Sequence, residues 1–183
     1  MNDIMVDLET LGQTPGCIIL SIGAVQFGPK GLGKEFYAVI NVADQKKAGL
    51  TTDPSTIEWW DKQSVQAREV LAQANNKKES IPLKTALDTF QLYLQECGNL
   101  RNIKIWGNGS DFDNAILAVA HKAANREIGW QFWNNRCFRT LKSMGSKATQ
   151  PERQGTYHNA LDDAKHQALW AIELGRIAGV KVF

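Results

Sequence analysis

Over the first 40 residues, apolar and β-branched runs alternate with turn residues. Residues 4–8 predict a short strand, 18–27 a second with Ile, Val and Phe throughout, and 35–40 a third. Gly28-Pro29-Lys30-Gly31 supplies turn chemistry between the last two. A three-strand meander is expected there. Beyond it the period becomes helical. Asp53-Pro54 puts a capping residue directly before a proline, which predicts a helix start, and another helix is expected over about 65–73. Residues 75–80 are polar and read as an exposed loop. Leu83, Leu87, Phe90 and Leu94 recur at helical spacing and predict a helix over 82–97. A strand is expected at 104–106, a helix at 111–125, a strand at 131–133, and helices at 138–144 and 159–178, the last being the longest. A meander followed by alternating helices and strands predicts an α/β fold with one mixed sheet flanked by helices. There is no internal repeat, low-complexity segment or domain boundary, so a single domain over residues 1–183 is expected.

Composition changes this picture little. Hydrophobic content of 43% and charged content of 22% are those of an ordinary soluble domain. The formal net charge of +2 gives no ground for inferring nucleic-acid binding from overall charge. Locally, Arg136, Arg139, Lys142, Lys147 and Arg153 face a single acid, Glu152, a stretch that suits either a solvated surface or phosphate contacts. Cys17, Cys97 and Cys137 are odd in number and far apart, which fits reduced thiols in a cytoplasmic compartment and offers no zinc cluster or disulfide frame. No basic region followed by an apolar stretch comes after Met1-Asn2-Asp3, so no signal peptide is expected, and no apolar run approaches the ~18 residues of a membrane span.

The candidate chemistry lies in acids and one histidine. Asp7 and Glu9 flank Leu8 at the end of the first predicted strand, where alternation puts both on one face. Two carboxylates there repel one another and resist desolvation unless a cation joins them. Hard divalent ions take oxygen ligands, and magnesium is commonly held by a few carboxylates plus substrate phosphate. Taken alone, the pair is a weak signal that two solvated surface acids explain better. Asp113 ends Trp106-Gly107-Asn108-Gly109-Ser110-Asp111-Phe112-Asp113, a strand passing through small residues into a helix. An acid in a first helical turn is also explained by the helix dipole, and Asp111 suits capping. Asp111 and Asp113 differ by about 200° of rotation, so only one of them faces a common site, while Phe112 and Ile116 can pair inward. His158 stands at a loop-to-helix junction, with Asp162 and Asp163 about 100° apart in the first turn. A histidine is a good general base near neutral pH; a capping histidine followed by surface acids is the plain alternative. Trp59 and Trp60 are adjacent on a predicted helix and face different directions. One is expected in the core, leaving the other to stack on a base, a contact worth about 1–3 kcal/mol.

The order of these pieces resembles the DEDD exonuclease superfamily in its histidine-bearing (DEDDh) branch. Asp7-Leu8-Glu9-Thr10 matches the first motif, with Ser21-Ile22-Gly23-Ala24-Val25 on the next strand; Asn108 and Phe112-Asp113 match the second; His158 through Ala164 matches His-x-Ala-x-x-Asp-Ala. The match spans residues 4 to about 175, and it selects Asp113 over Asp111 and Asp163 over Asp162. Gly107 departs from it, standing where many members carry histidine. The Thr56-Ile57-Glu58-Trp59-Trp60 segment is similar to a bacterial and phage subgroup of 3′-5′ exoribonucleases related to ribonuclease AS.

The resemblance implies an RNase H-like fold, and two magnesium or manganese ions held by Asp7, Glu9, Asp113 and Asp163. It implies His158 as the general base, and release of 5′-nucleoside monophosphates from a strand's 3′ end. Leu11 resembles the family's apolar wedge beside the terminal base; Thr10, Trp59, Trp60 and Asn108 are the other expected substrate contacts. The expected partner is the 3′ end of single-stranded RNA or DNA, with RNA slightly favoured and no membrane involved. A homodimer in the cytoplasm of a bacterial or phage-infected cell is expected by analogy. A DNA-specific exonuclease, a catalytically silent strand-end binder and a structural subunit are the rival readings.

Overall fold

The computed structural model describes residues 1–109, 111–145 and 149–178. The chain opens with β1 (Asp3–Thr10), β2 (Ile19–Gly28) and β3 (Gly31–Val39), paired antiparallel. Helices α1 (Val42–Lys47), α2 (Pro54–Asp61), α3 (Val65–Asn75) and α4 (Leu83–Cys97) follow. Next come β4 (Lys104–Gly107), α5 (Asp113–Ala123), a 3-10 turn (Phe132–Asn134), β5 (Asn135–Cys137), α6 (Phe138–Met144) and α7 (Ala160–Ala178). The sheet order is β3-β2-β1-β4-β5, with β1, β4 and β5 parallel to one another. The expected mixed sheet flanked by helices is therefore present, and its meander half is the part read from the first 40 residues. Among the described residues no helix is long and apolar enough to cross a membrane.

Local signals account for most boundaries. Asp53 Oδ1 accepts the Ser55 N–H at 2.9 Å with Pro54 in the first helical position, as the Asp-Pro pair predicts. Two expectations need correction, and one helix has no counterpart in the sequence pattern. Residues 131–133 are not a strand: Phe132 and Trp133 are exposed in a 3-10 turn, and the strand is the following Asn135–Cys137. Asp111 does not cap α5. It is exposed, and Phe112 holds the cap position without a side-chain bond. Residues 42–47 form a helix with no apolar period because a tertiary contact holds it. Gln45 donates to the Ile19 carbonyl at 2.6 Å and accepts the Ile19 N–H at 2.8 Å.

β1 lies in the middle of the sheet and sorts its side chains between two cores. Ile4, Val6 and Leu8 face the larger one with Trp60, Leu87, Phe90, Leu94, Ile116 and Leu117. Met5 faces the smaller one, formed with Val25, Phe27, Trp106, Phe138 and the α7 residues Ala164, Ala168, Ala171 and Leu174. By alternation Asp7 and Glu9 lie on the α7 side. The three alanines recur every three or four positions and bring the helix close to the sheet. Gly23, paired with Asp7 across β1 and β2, completes that approach: a Cβ on it would lie 2.1 Å from the Ala160 carbonyl carbon. Gly23→Ala should therefore lift the start of α7 from the sheet. Overpacking of this kind costs about 1–3 kcal/mol, so the thermal midpoint and nucleotide release should both fall. An unchanged melting curve would show that α7 does not depend on this contact.

Candidate active site

Asp7 and Glu9 stand at the C-terminal end of β1, and the other acids reach them by different routes. β4 pairs with β1 only as far as Met5↔Trp106, which leaves the next β1 amides on that side without a strand partner. Asp113 fills the gap. Its Oδ1 accepts the Leu8 N–H at 3.2 Å, and its Oδ2 accepts the Asn108 N–H at 2.8 Å. Gly107 makes room for it, since a Cβ there would lie 2.8 Å from Asp113 Oδ2. Any side chain at this position, where the resembling family often has histidine, would meet the Asp113 carboxylate. Asp163 arrives from the first turn of α7. Its Oδ2 accepts the His158 N–H at 3.0 Å, and its Oδ1 pairs with Arg153 at 2.6 Å. Donor atoms of Glu9, His158 and Asp163 lie within 4.8 Å of one another, a spacing that would suit a metal ion. His158 has φ +62°, in the left-handed region uncommon outside glycine. Its ring meets Trp59 edge-on at 4.9 Å and Trp60 at 6.2 Å.

The structure thus brings Asp7, Glu9, Asp113, His158 and Asp163 to one place. Asp111 is exposed before α5, and Asp162 turns to the preceding loop, accepting the Thr156 N–H at 2.8 Å. The clustering shows in the acids' titration. Burial, then Asp113, Glu9 and Asp163, push Asp7 well above the usual carboxyl range, with Gln167 opposing. Burial, then Asp163 and Asp113, push Glu9 up to about 8 against the field of Arg153. Burial raises Asp113 to about 6, opposed by its backbone N–H donors. Three carboxyls that resist ionising, with the Asp163 carboxylate beside them, are the oxygen donor set a hard divalent cation satisfies.

A cavity of about 200 Å³ adjoins Glu9, walled by Leu8, Thr10, Thr56, Trp59, Trp60 and Phe112 among others. Trp59 is exposed, whereas Trp60 is buried and donates its indole N–H to the Thr10 carbonyl at 2.9 Å, which resolves the tryptophan pair. Leu11 is buried in the larger core, not in the cleft wall. The Thr10 hydroxyl is committed to the Gly12 carbonyl at 2.7 Å. Asn108 keeps a buried side-chain oxygen with no partner among the described residues. The basic stretch divides. Lys142 lies over the Trp170 and Phe138 rings, Arg139 is exposed with its field on Asp113, Arg136 bonds the Trp133 and Asn135 carbonyls, and Lys147 lies outside the described residues.

Sequence reading missed Gln167 and the placement of Arg153. Gln167 donates to Asp7 Oδ1 at 2.7 Å, and its spacing four residues after Asp163 was the available signal, since i and i+4 share a helix face. Arg153 had no such signal, because its loop is irregular.

A meander continued by parallel strands, with acids supplied from β1, α5 and α7 and a histidine entering α7, is an RNase H-like sheet carrying a carboxylate site of the 3′-5′ exonuclease class. The chain belongs to the Rv2179c-like 3′-5′ exoribonuclease domain family, whose profile it matches over residues 2–174. It is 26% identical to a protein named exodeoxyribonuclease from Enterobacteria phage T4, over 92% of this chain and 87% of the phage protein. Its fold is similar to the nuclease domain of 3′hExo, a DEDDh family member solved bound to rAMP. The TM-score is 0.62 at 13% identity, over 96% of this chain and 92% of that one. It is also similar to cell-death related nuclease 4 (CRN-4), with a TM-score of 0.64 at 12% identity, over 96% of this chain but only 64% of that nuclease's length.

The raised carboxyls give a pH dependence of known sign. Glu9 keeps its proton in the folded, metal-free protein up to about 8 but loses it near its ordinary 4.5 when unfolded. Folding therefore takes up protons between these values, and this contribution to stability is full below about 4.5 and declines as pH rises toward 8. In chelator the thermal midpoint should fall across that window, and Glu9→Gln, which cannot titrate, should flatten the fall. The same slope in both proteins would refute the assignment.

Proposed function

We propose that this exonuclease depends on divalent ions, magnesium or manganese, held as a pair by Asp7, Glu9, Asp113 and Asp163, and that it shortens single-stranded RNA from the 3′ end. The observation that carries the reading is the convergence of these four carboxylates, drawn from three elements, beside His158. Ions bound there would polarise the phosphodiester and lower the pKa of an attacking water. The protein's own part is separable. His158, held at the rim by its backbone bond to Asp163, accepts the proton of the attacking water. Asp113 keeps its orientation through two backbone N–H donors, and Gln167 fixes one Asp7 oxygen. The cleft beside Glu9 receives the terminal nucleoside, with Trp59 as the stacking surface. The products are a 5′-nucleoside monophosphate and a strand one residue shorter.

The family's description as an exoribonuclease and the rAMP in 3′hExo support RNA. The name of the phage T4 relative supports DNA as the second reading. Matched 5′-labelled RNA and DNA strands separate the two, and RNA should be degraded faster. Within the cleft wall the buried Thr56 hydroxyl has no hydrogen-bond partner among the described residues.

Chelation should abolish nucleotide release, and magnesium or manganese should restore it. Asp7→Asn should lose most turnover, because an amide cannot supply the same ligand charge. His158→Ala should still bind ions and strand but turn over about 10²–10⁴-fold more slowly, the usual range for a lost general base. The ladder from a 5′-labelled strand should shorten progressively, and a blocked 3′ terminus should slow it. Full activity in excess chelator, or early internal fragments, would sink this reading.

A further inference from the structure

Arg153 reads in the sequence as one member of a basic run, but the fold removes it from solvent. Its side chain is 13% exposed. The guanidinium donates to Asp163 Oδ1 at 2.6 Å and to the Thr156 carbonyl at 3.0 Å, and its carbon lies 3.9 Å from the centroid of the Tyr157 ring. Other contacts bind the same loop to the same helical turn. Thr156 N–H donates to Asp162, and His158 N–H to Asp163. Gly155 turns the loop with φ +83°, and a Cβ there would lie 2.3 Å from Asp162 Cγ. The loop ends in His158, whose left-handed backbone persists only where its surroundings hold it.

We propose that Arg153 is a positioning residue of the hydrolytic site, clipping the 153–159 loop to the first turn of α7 so that His158 stays edge-on to Trp59 and Asp163 stays within reach of Glu9. The inference rests on the nuclease reading above. A guanidinium suits the task because one planar group can bond a carboxylate, bond a carbonyl and stack on a ring at once. A lysine ammonium offers a point charge without the stacking face. The same positive charge faces Glu9 and opposes the rise of its carboxyl.

The test compares Arg153→Gln, Arg153→Lys and His158→Ala in the full chain. The protein has three histidines, so His158→Ala identifies the His158 imidazole signal in a proton NMR spectrum. In the parent protein the Trp59 and Trp60 rings displace that signal. In Arg153→Gln the displacement should collapse, while His121, packed on Trp130, stays as a control. Turnover should fall by about 10²-fold, as misplacement by about 1 Å allows, with KM little changed, and Arg153→Lys should recover little of it. If Arg153→Gln does not fold, Tyr157→Leu removes the stacking support alone and should move the same signal partway; an unmoved signal there overturns the proposal. So does a folded Arg153→Gln whose His158 signal and turnover are unchanged, or one that raises KM with kcat retained, which would assign Arg153 to substrate phosphate. Absence of nucleotide release by the parent protein would instead overturn the nuclease reading, and full turnover in His158→Ala the choice of base; the NMR comparison would still decide whether Arg153 holds the loop.

Discussion

Four carboxylates crowded together at the end of β1 repel one another and lose hydration, and much of the local architecture answers that penalty. Asp113 receives two backbone N–H groups and reaches only about 6, whereas Glu9, opposed only by the field of Arg153, is pushed to about 8. Asp7 receives the Gln167 amide and Asp163 the Arg153 guanidinium. None of these partners neutralises the cluster, which leaves it suited to cations brought from solution.

The cluster exists because backbone elements come closer than ordinary side chains permit. α7 reaches the sheet over Gly23 and its own alanines, and Asp113 folds against Gly107. β4 separates from β1 early, so Asp113 takes over a β1 amide that a longer strand would have used. The site is thus built at the point where strand pairing ends, where backbone donors are free for an acidic side chain.

The substrate side follows the same economy of position. Trp60 is spent on the core and on the Thr10 carbonyl, which fixes the neighbouring Trp59 as an exposed ring beside His158. Leu11, two residues beyond Glu9, packs into the larger core, and its N–H pairs with the Ile18 carbonyl, which draws the chain back across the sheet.

What the amino-acid order determined by itself was local or periodic: the meander, the Asp53-Pro54 helix start, the amphipathic 82–97 helix and the shared face of Asp7 and Glu9. Their causes act within a few residues. The choice of Asp113 over Asp111 and of Asp163 over Asp162 required resemblance to a family, since helical rotation showed only that neighbouring acids diverge. Gln45 holding a short helix, the 3-10 turn at Phe132–Asn134, Gln167 on Asp7 and Arg153 on Asp163 were decided by the tertiary structure. Each depends on a partner or a packing position distant along the chain, and no local period encodes which polar side chain will meet which charge once the sheet and α7 have closed on one another.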